Sequence, residues 1–135
     1  MAKKAAKKDS ARTLAVEMAR LAQDANCEDV VVLDLRDISP VTDYFVIATG
    51  TSGRQMRSAA DDMSQRGKAT GSPVWHVAGL EGGDWIVLDF VDVVVHLFDQ
   101  PHRKYYDLEL IWGGSPRVRW KRRAAAADKK EAQEE

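Results

Sequence analysis

The chain has 135 residues, enough for one domain with a hydrophobic core but too few for two independent domains. Its single cysteine, Cys27, excludes an internal disulfide and a cysteine-ligated zinc site, as expected in a reducing cytosol. No apolar run approaches the roughly 18 residues that span a bilayer, and no apolar stretch follows the lysine-rich start as in a secretion signal. We therefore expect a cytoplasmic protein with no membrane partner.

The net charge of −1 hides an uneven distribution of charged residues. Both ends are basic, whereas residues 11–116 hold nine Lys and Arg against sixteen Asp and Glu, a balance of −7. A body this acidic is poorly suited to the phosphate backbone of DNA or RNA, which requires clustered positive charge. It suits a basic protein partner, because charge complementarity speeds encounter. The alternative is that the acidic surface only keeps the domain soluble.

Apolar spacing in the first half of the chain predicts a helix, two strands and a second helix. Apolar residues three and four positions apart over residues 11–25 indicate an amphipathic helix with Ser10 as its N-cap. Short apolar runs over residues 30–35 and 44–48 indicate buried strands. After a turn of small residues, a second amphipathic helix begins with Ser52 as its N-cap.

The second half predicts three strands and a short helix. Residues 74–77 have the pattern of an edge strand, and residues 84–98 contain two β-branched and aromatic runs typical of a β-hairpin. Pro101 marks the start of a short, mostly apolar helix that ends at Gly113. The expected fold is therefore α/β: a single domain with a mixed sheet of about five strands and helices packed on it.

The domain is expected to cover residues 11–113. Residues 1–10 are predicted to be a basic disordered tail, and residues 114–135 a flexible charged tail without a core-facing side. The basic stretch over residues 117–123 carries one aromatic residue, so it is either an accessory arm that contacts RNA or a solvated tail.

The tip of the predicted hairpin is unusual because it is apolar. The turn falls around Phe90 and Val91, between Asp89 and Asp92. An apolar side chain at a loop tip loses solvation free energy in a free monomer, so Phe90 is predicted to face a partner that is apolar in the middle and basic at its rim. The alternative is that Phe90 folds back onto the core, or that the turn lies one residue away.

The most enzyme-like feature is the small-residue turn over residues 50–54, between a strand and a helix. Its N–H groups would either bind an anion or cap the helix. The residues concerned are Thr51, Ser52 and Arg54. The turn lacks the lysine of a P-loop, and Asp89 and Asp92 do not have the spacing of a two-metal dyad. We expect no catalytic residues, metal or cofactor; a nucleotide-binding or nucleotidyltransferase-like enzyme that uses this turn is the alternative function.

Several motifs occur together in one order. They are TDYF at 42–45, ATGTSGRQ at 48–55, DWIVLD at 84–89, DVVVH at 92–96 and YYDLE at 105–109. Through them, about residues 11–112 resemble the ribosomal silencing factor family, also called Iojap. The resemblance implies a nucleotidyltransferase-like fold without catalytic activity. It also implies a repressor of translation that binds the fourteenth protein of the large ribosomal subunit and sterically blocks small-subunit joining, under nutrient limitation or in stationary phase.

The same resemblance implies which residues contact the partner. They are Trp85, Asp89, Phe90, Asp92 and, on the following helix, Tyr106. Trp85 and Phe90 would be the desolvated aromatic anchors, while the two carboxylates would pair with Lys or Arg of the partner. An accessory contact of the C-terminal tail with ribosomal RNA, and a homodimer of the free protein through its exposed apolar edge, are further expectations.

Overall fold

A computed structural model describes the backbone of residues 2–105 and 115–122, and the side chains of residues 10–103 and 115–122. The predicted contact residue Tyr106 lies outside the described residues. In chain order the elements are α1 (Ala2–Asp24), β1 (Glu28–Asp34), β2 (Tyr44–Thr49), α2 (Gly53–Ala69), β3 (His76–Ala78), β4 (Trp85–Asp89), β5 (Val93–Phe98) and α3 (Gln100–Tyr105).

The five strands form one mixed sheet in the order β1-β2-β5-β4-β3. Strand β2 pairs with β5 in parallel, and the other three pairings are antiparallel. Helix α2 and strands β3 and β4 lie between β2 and β5 in the chain, and this long connection allows the two strands to run in the same direction. The predicted α/β domain, its order of elements and its mixed five-stranded sheet are confirmed.

Helices α1 and α2 pack on one face of this sheet, where the larger core lies. The apolar stripe of α1 contains Ala15, Ala19 and Ala22, all fully buried, and these small side chains let the helix backbone approach the strands closely. Met56 and Met63 of α2 fill the remaining space. The opposite face of the sheet is therefore free of both long helices. None of the helices in the described part of the chain is long and apolar enough to cross a membrane.

Helix α1 begins earlier than the apolar spacing indicates. Its first residue is Ala2, so Ser10 lies inside the helix and the predicted N-cap is wrong. The stretch predicted to be a disordered tail is helical from Ala2 onward, because alanine and lysine are strong helix formers even without an apolar stripe.

The C-terminal segment of residues 115–122 lies antiparallel beside β1. The Asp34 N–H donates to the Pro116 carbonyl at 2.8 Å, and the Val118 N–H donates to the Val32 carbonyl at 2.8 Å. These bonds occupy the edge of the sheet that β1 would otherwise leave open.

Side chains hold this segment against α1 as well. Trp120 is 8% exposed, and its indole N–H donates to the Val30 carbonyl at 3.2 Å. The Arg20 Nε donates to the Trp120 carbonyl at 2.8 Å, and Arg122 forms a bidentate ion pair with Asp24. The prediction of a flexible tail without a core-facing side is therefore wrong for residues 115–122.

Candidate functional site

The face of the sheet opposite α1 and α2, here called the open face, carries the candidate site. Side chains alternate between the two faces along each strand, and strand register aligns those on the open face in rows. One row runs from Phe45 of β2 through Val94 of β5 to Asp89 of β4. All three side chains are half-buried. The row therefore changes from apolar to acidic as it crosses the sheet.

An apolar groove of about 730 Å³ lies over this row. Three exposed apolar side chains stand at its rim: Val41 is 82% exposed, Trp75 is 73% exposed and Val91 is 54% exposed. Clustered exposed apolar groups of this kind are typical of protein interaction sites rather than of ordinary solvated surface. The groove is thus the strongest candidate for a docking surface among the described residues.

One carboxylate borders the groove at the hairpin tip. The Asp89 carboxylate accepts the Val91 N–H at 2.7 Å, which fixes it at the groove wall. Asp92 is exposed but does not line the groove; it lines a separate pocket beside α1. The Asp92 carbonyl accepts the N–H groups of Asp43 and Tyr44, so the tip is tied to the start of β2. Neither Asp89 nor Asp92 pairs with a Lys or Arg in the described ranges. Their charge is available to a basic partner.

The hairpin itself is confirmed, but the exposed residue at its tip is Val91. Phe90 is 6% exposed and belongs to the core under the helices, close to Gly67 of α2. The prediction of Phe90 as an exposed anchor is wrong, and the alternative that it folds back onto the core is right. The physical reason is strand parity, because Ile86, Leu88 and Phe90 are two residues apart and share the helix-covered face.

Val91 occupies this tip in an unusual backbone conformation. Its φ is +78°, a left-handed value that β-branched residues rarely adopt. The Phe90 N–H donates to the Val93 carbonyl at 2.8 Å, which closes the tight turn and holds Val91 there. Strain kept at an exposed apolar residue is typical of functional sites.

Trp85 lies on the open face beside the groove rather than at its rim. Its ring is half-buried and stacks on Phe98 with the ring centroids 4.9 Å apart, and its indole N–H donates to His96 Nδ1 at 3.2 Å. Burial lowers the pKa of His96 to about 4, so the imidazole is neutral at pH 7. Since the indole N–H can only donate, His96 Nδ1 must accept, and the single proton of the neutral imidazole is therefore on Nε2.

Trp75 is the exposed aromatic that sequence reasoning missed as a contact residue. It precedes the three-residue edge strand β3, and its N–H donates to the Asp89 carbonyl at 2.7 Å. The available signal was a large aromatic residue in the edge strand predicted over residues 74–77, two positions after Pro73, because a short edge strand buries few of its side chains.

The turn over residues 50–54 lies at the opposite end of β2 from the groove, so the structure does not bring the two candidate sites together. The predicted cap at Ser52 is confirmed: its hydroxyl accepts the Gln55 N–H at 3.0 Å. The Gln55 side chain accepts the Thr51 N–H in return and donates to the Ala25 carbonyl at 2.7 Å. The Ser52 hydroxyl and the Thr51 N–H of the turn are therefore occupied by hydrogen bonds that cap α2, which favours a structural role of the turn over anion binding.

Other reactive groups offer little chemistry. Burial raises the pKa of the Cys27 thiol to about 11, so it is not a nucleophile at neutral pH. His102 contacts Asp99 at 2.7 Å and Asp84 at 3.5 Å. These residues lie beyond the C-terminal end of β5, whereas the groove lies near its N-terminal end. Within residues 10–103 and 115–122, no group of three or more His, Cys, Asp or Glu side chains is arranged to hold a metal ion.

Comparisons with known proteins agree with this architecture. The model of the family described as "Ribosomal silencing factor during starvation" matches residues 8–135. Ribosomal silencing factor RsfS of Bacillus subtilis is 38% identical over 93 residues, covering 69% of this chain and 79% of the relative. A crystal structure of a Chromobacterium violaceum protein superposes with a TM-score of 0.70 at 30% identity, covering 87% of this chain and 95% of that one.

A more distant relative carries an informative name. The mouse protein named "Mitochondrial assembly of ribosomal large subunit protein 1" is 32% identical over 95 residues, covering 68% of this chain and 42% of the relative. These relatives are named for roles at the ribosome and not for a catalysed reaction.

Proposed function

Because the chain belongs to the ribosomal silencing factor family, we propose that it represses translation by binding the large ribosomal subunit through that subunit's fourteenth protein. In this proposal the bound protein covers the surface that the small subunit would occupy, and the two subunits do not join. The single observation that carries the proposal is the apolar groove with an acidic border on the open face.

The composition of the groove supports a basic protein as the partner. An interface of this kind has an apolar centre and a polar rim, and its binding energy concentrates in a few large side chains. Trp75 and Val91 would lose their exposed apolar surface on docking. Asp89 and Asp92 would pair with Lys or Arg of the partner, which steers encounter and selects against acidic surfaces.

The name of the mouse relative supports the choice of subunit, since it refers to the ribosomal large subunit. Trp85 keeps a part in the proposal as the aromatic floor next to the groove, where it positions His96. Phe90 is not a direct contact in this proposal, because its ring is buried under the helices.

The mechanism requires no catalytic turnover. A protein that binds free large subunits and excludes small subunits removes the large subunits from the joining equilibrium by mass action. Translation then falls while the subunits stay intact. Repression is expected whenever the protein's concentration exceeds its Kd for the large subunit.

Sucrose-gradient sedimentation of purified large and small subunits tests this function. With the wild-type protein we expect co-migration with the large subunit and loss of the assembled-ribosome peak. Trp75→Ala should raise the Kd about 30-fold, corresponding to roughly 2 kcal/mol for an interface tryptophan. Leu80→Ala is the matched control, because Leu80 is 41% exposed but does not line the groove. A wild-type protein that stays at the top of the gradient and leaves joining unchanged would contradict the proposal.

The oligomeric state of the free protein follows from the same surface. An uncovered groove, together with the edge strand β3, leaves apolar area and backbone groups that a second copy could cover, so we propose that a homodimer competes with subunit binding. Sedimentation equilibrium over a range of protein concentrations measures this, and Trp75→Ala should shift the protein toward the monomer.

A further inference from the structure

The C-terminal segment presents basic side chains on the same face of the sheet as the groove. Val118 and Trp120 are buried in the core under the helices, whereas the alternate residues Arg117, Arg119 and Lys121 are exposed. Arg117 lies directly opposite Leu33 in an antiparallel bridge, and residues paired in this way share a face of the sheet. Leu33 belongs to the apolar cluster of the open face. The basic row therefore extends the open face beyond β1.

Strand register aligns this row with the groove. The pairings connect Arg117 to Leu33, Leu33 to Phe45, Phe45 to Val94, and Val94 to Asp89. At about 4.8 Å per strand spacing, Arg117 and Asp89 are about 19 Å apart across the sheet. Leu33 is only 2% exposed, so the exposed part of this row is basic at Arg117, apolar at Phe45 and Val94, and acidic at Asp89.

The C-terminal segment is held in place, and the charges of Arg119 and Lys121 are available to a partner. Hydrogen bonds to β1, the buried Trp120 and the ion pair of Arg122 with Asp24 fix the backbone of the segment. Arg119 and Lys121 form no ion pair with any residue in the described part of the chain. In an extended segment, side chains two residues apart are about 6.7 Å apart, so the two cations can engage different phosphates of one strand.

We propose that Arg119 and Lys121 bind phosphate groups of ribosomal RNA next to the protein that occupies the groove. This inference rests on the proposed function, because it places RNA beside the docked ribosomal protein. A basic ribosomal protein is surrounded by RNA, so a surface that spans the boundary should be acidic over the protein and basic over the RNA. The charge gradient of the open face matches that arrangement.

The salt dependence of binding to purified large subunits tests the proposal. Each phosphate contact contributes about 0.7 to 0.9 to the slope of log affinity against log salt concentration. The double variant Arg119→Ala/Lys121→Ala should therefore have a slope smaller by about 1.4 to 1.8 than the wild type. Between 50 mM and 200 mM salt, the wild type should lose roughly ten times more affinity than the variant loses.

Two controls separate RNA contact from other effects. Arg66→Ala/Lys68→Ala removes the same charge from the last turn of α2, on the helix-covered side, and should keep the wild-type slope. Binding to the isolated fourteenth protein of the large subunit should be unchanged in Arg119→Ala/Lys121→Ala and weakened in Trp75→Ala.

Equal salt slopes for Arg119→Ala/Lys121→Ala and the wild type would overturn the RNA contact while leaving the proposed function intact. A loss of affinity for the isolated ribosomal protein in this variant would also overturn it, because the row would then contact protein. Failure of the wild-type protein to bind large subunits at all would overturn the proposed function and this inference together.

Discussion

Replacing Val91 by glycine should stabilise the free protein and weaken its binding to the large subunit. Val91 has a φ of +78°, and a left-handed conformation costs a residue with a side chain about 1–2 kcal/mol. Glycine adopts it without strain, but the greater freedom of glycine in the unfolded chain offsets about 0.4–1 kcal/mol of this gain. We expect the free energy of unfolding to rise by about 0.5–1 kcal/mol.

The loss of affinity follows from the apolar area that the side chain would bury. Full burial of a side chain of this size is worth at least about 1.5 kcal/mol, and the side chain of Val91 is 54% exposed before docking. Burial of this exposed part of the side chain on docking corresponds to about 1 kcal/mol, so its loss in Val91→Gly should raise the Kd about fivefold.

Urea denaturation and subunit sedimentation on the same protein preparation measure both quantities. Phe90→Leu is the matched control at the neighbouring position: it should lower the free energy of unfolding by about 1–2 kcal/mol and leave the affinity of the folded protein unchanged. A Val91→Gly variant that is destabilised by 1 kcal/mol or more, or one that binds as tightly as the wild type, would refute the assignment of Val91 as the exposed contact at the tip.

Further predictions concern the fold around the site. Trp120→Ala should lower the free energy of unfolding by about 3–4 kcal/mol in urea, because the indole is buried and hydrogen-bonded; a flexible tail would change it by less than about 0.5 kcal/mol. Ser52→Ala should cost about 1 kcal/mol through loss of the cap of α2 and leave subunit affinity unchanged, whereas an anion-binding role would appear as a nucleotide-dependent melting shift lost in the variant. Burial lowers the pKa of folded His96 from 6.5 to about 4, so the unfolded chain takes up the proton first. The stability contributed by neutral His96 is therefore complete above pH 6.5, and it falls by up to about 3 kcal/mol as the pH approaches 4. Denaturation curves at several pH values measure this fall in the free energy of unfolding, and His96→Phe should remove it.

Local sequence pattern determined the elements of this protein. Apolar residues at helical and strand spacing predicted three helices and five strands in the observed order, because these periodicities reflect which side of each element is buried. The cap at Ser52 and the hairpin were equally local, since a cap needs only the next three residues and a tight hairpin only two adjacent runs. The motifs also identified the family, and with it the ribosomal role.

Tertiary structure decided which of these residues form a surface. Strand parity turned Phe90 into the core and left Val91 exposed, while the position of β3 at the sheet edge left Trp75 uncovered. The apolar side chains of residues 115–122 face the core only because this segment pairs with β1, more than eighty residues earlier in the chain. Contacts over such separations depend on the order of strands and on their register, and periodicity within a single segment contains no information on either.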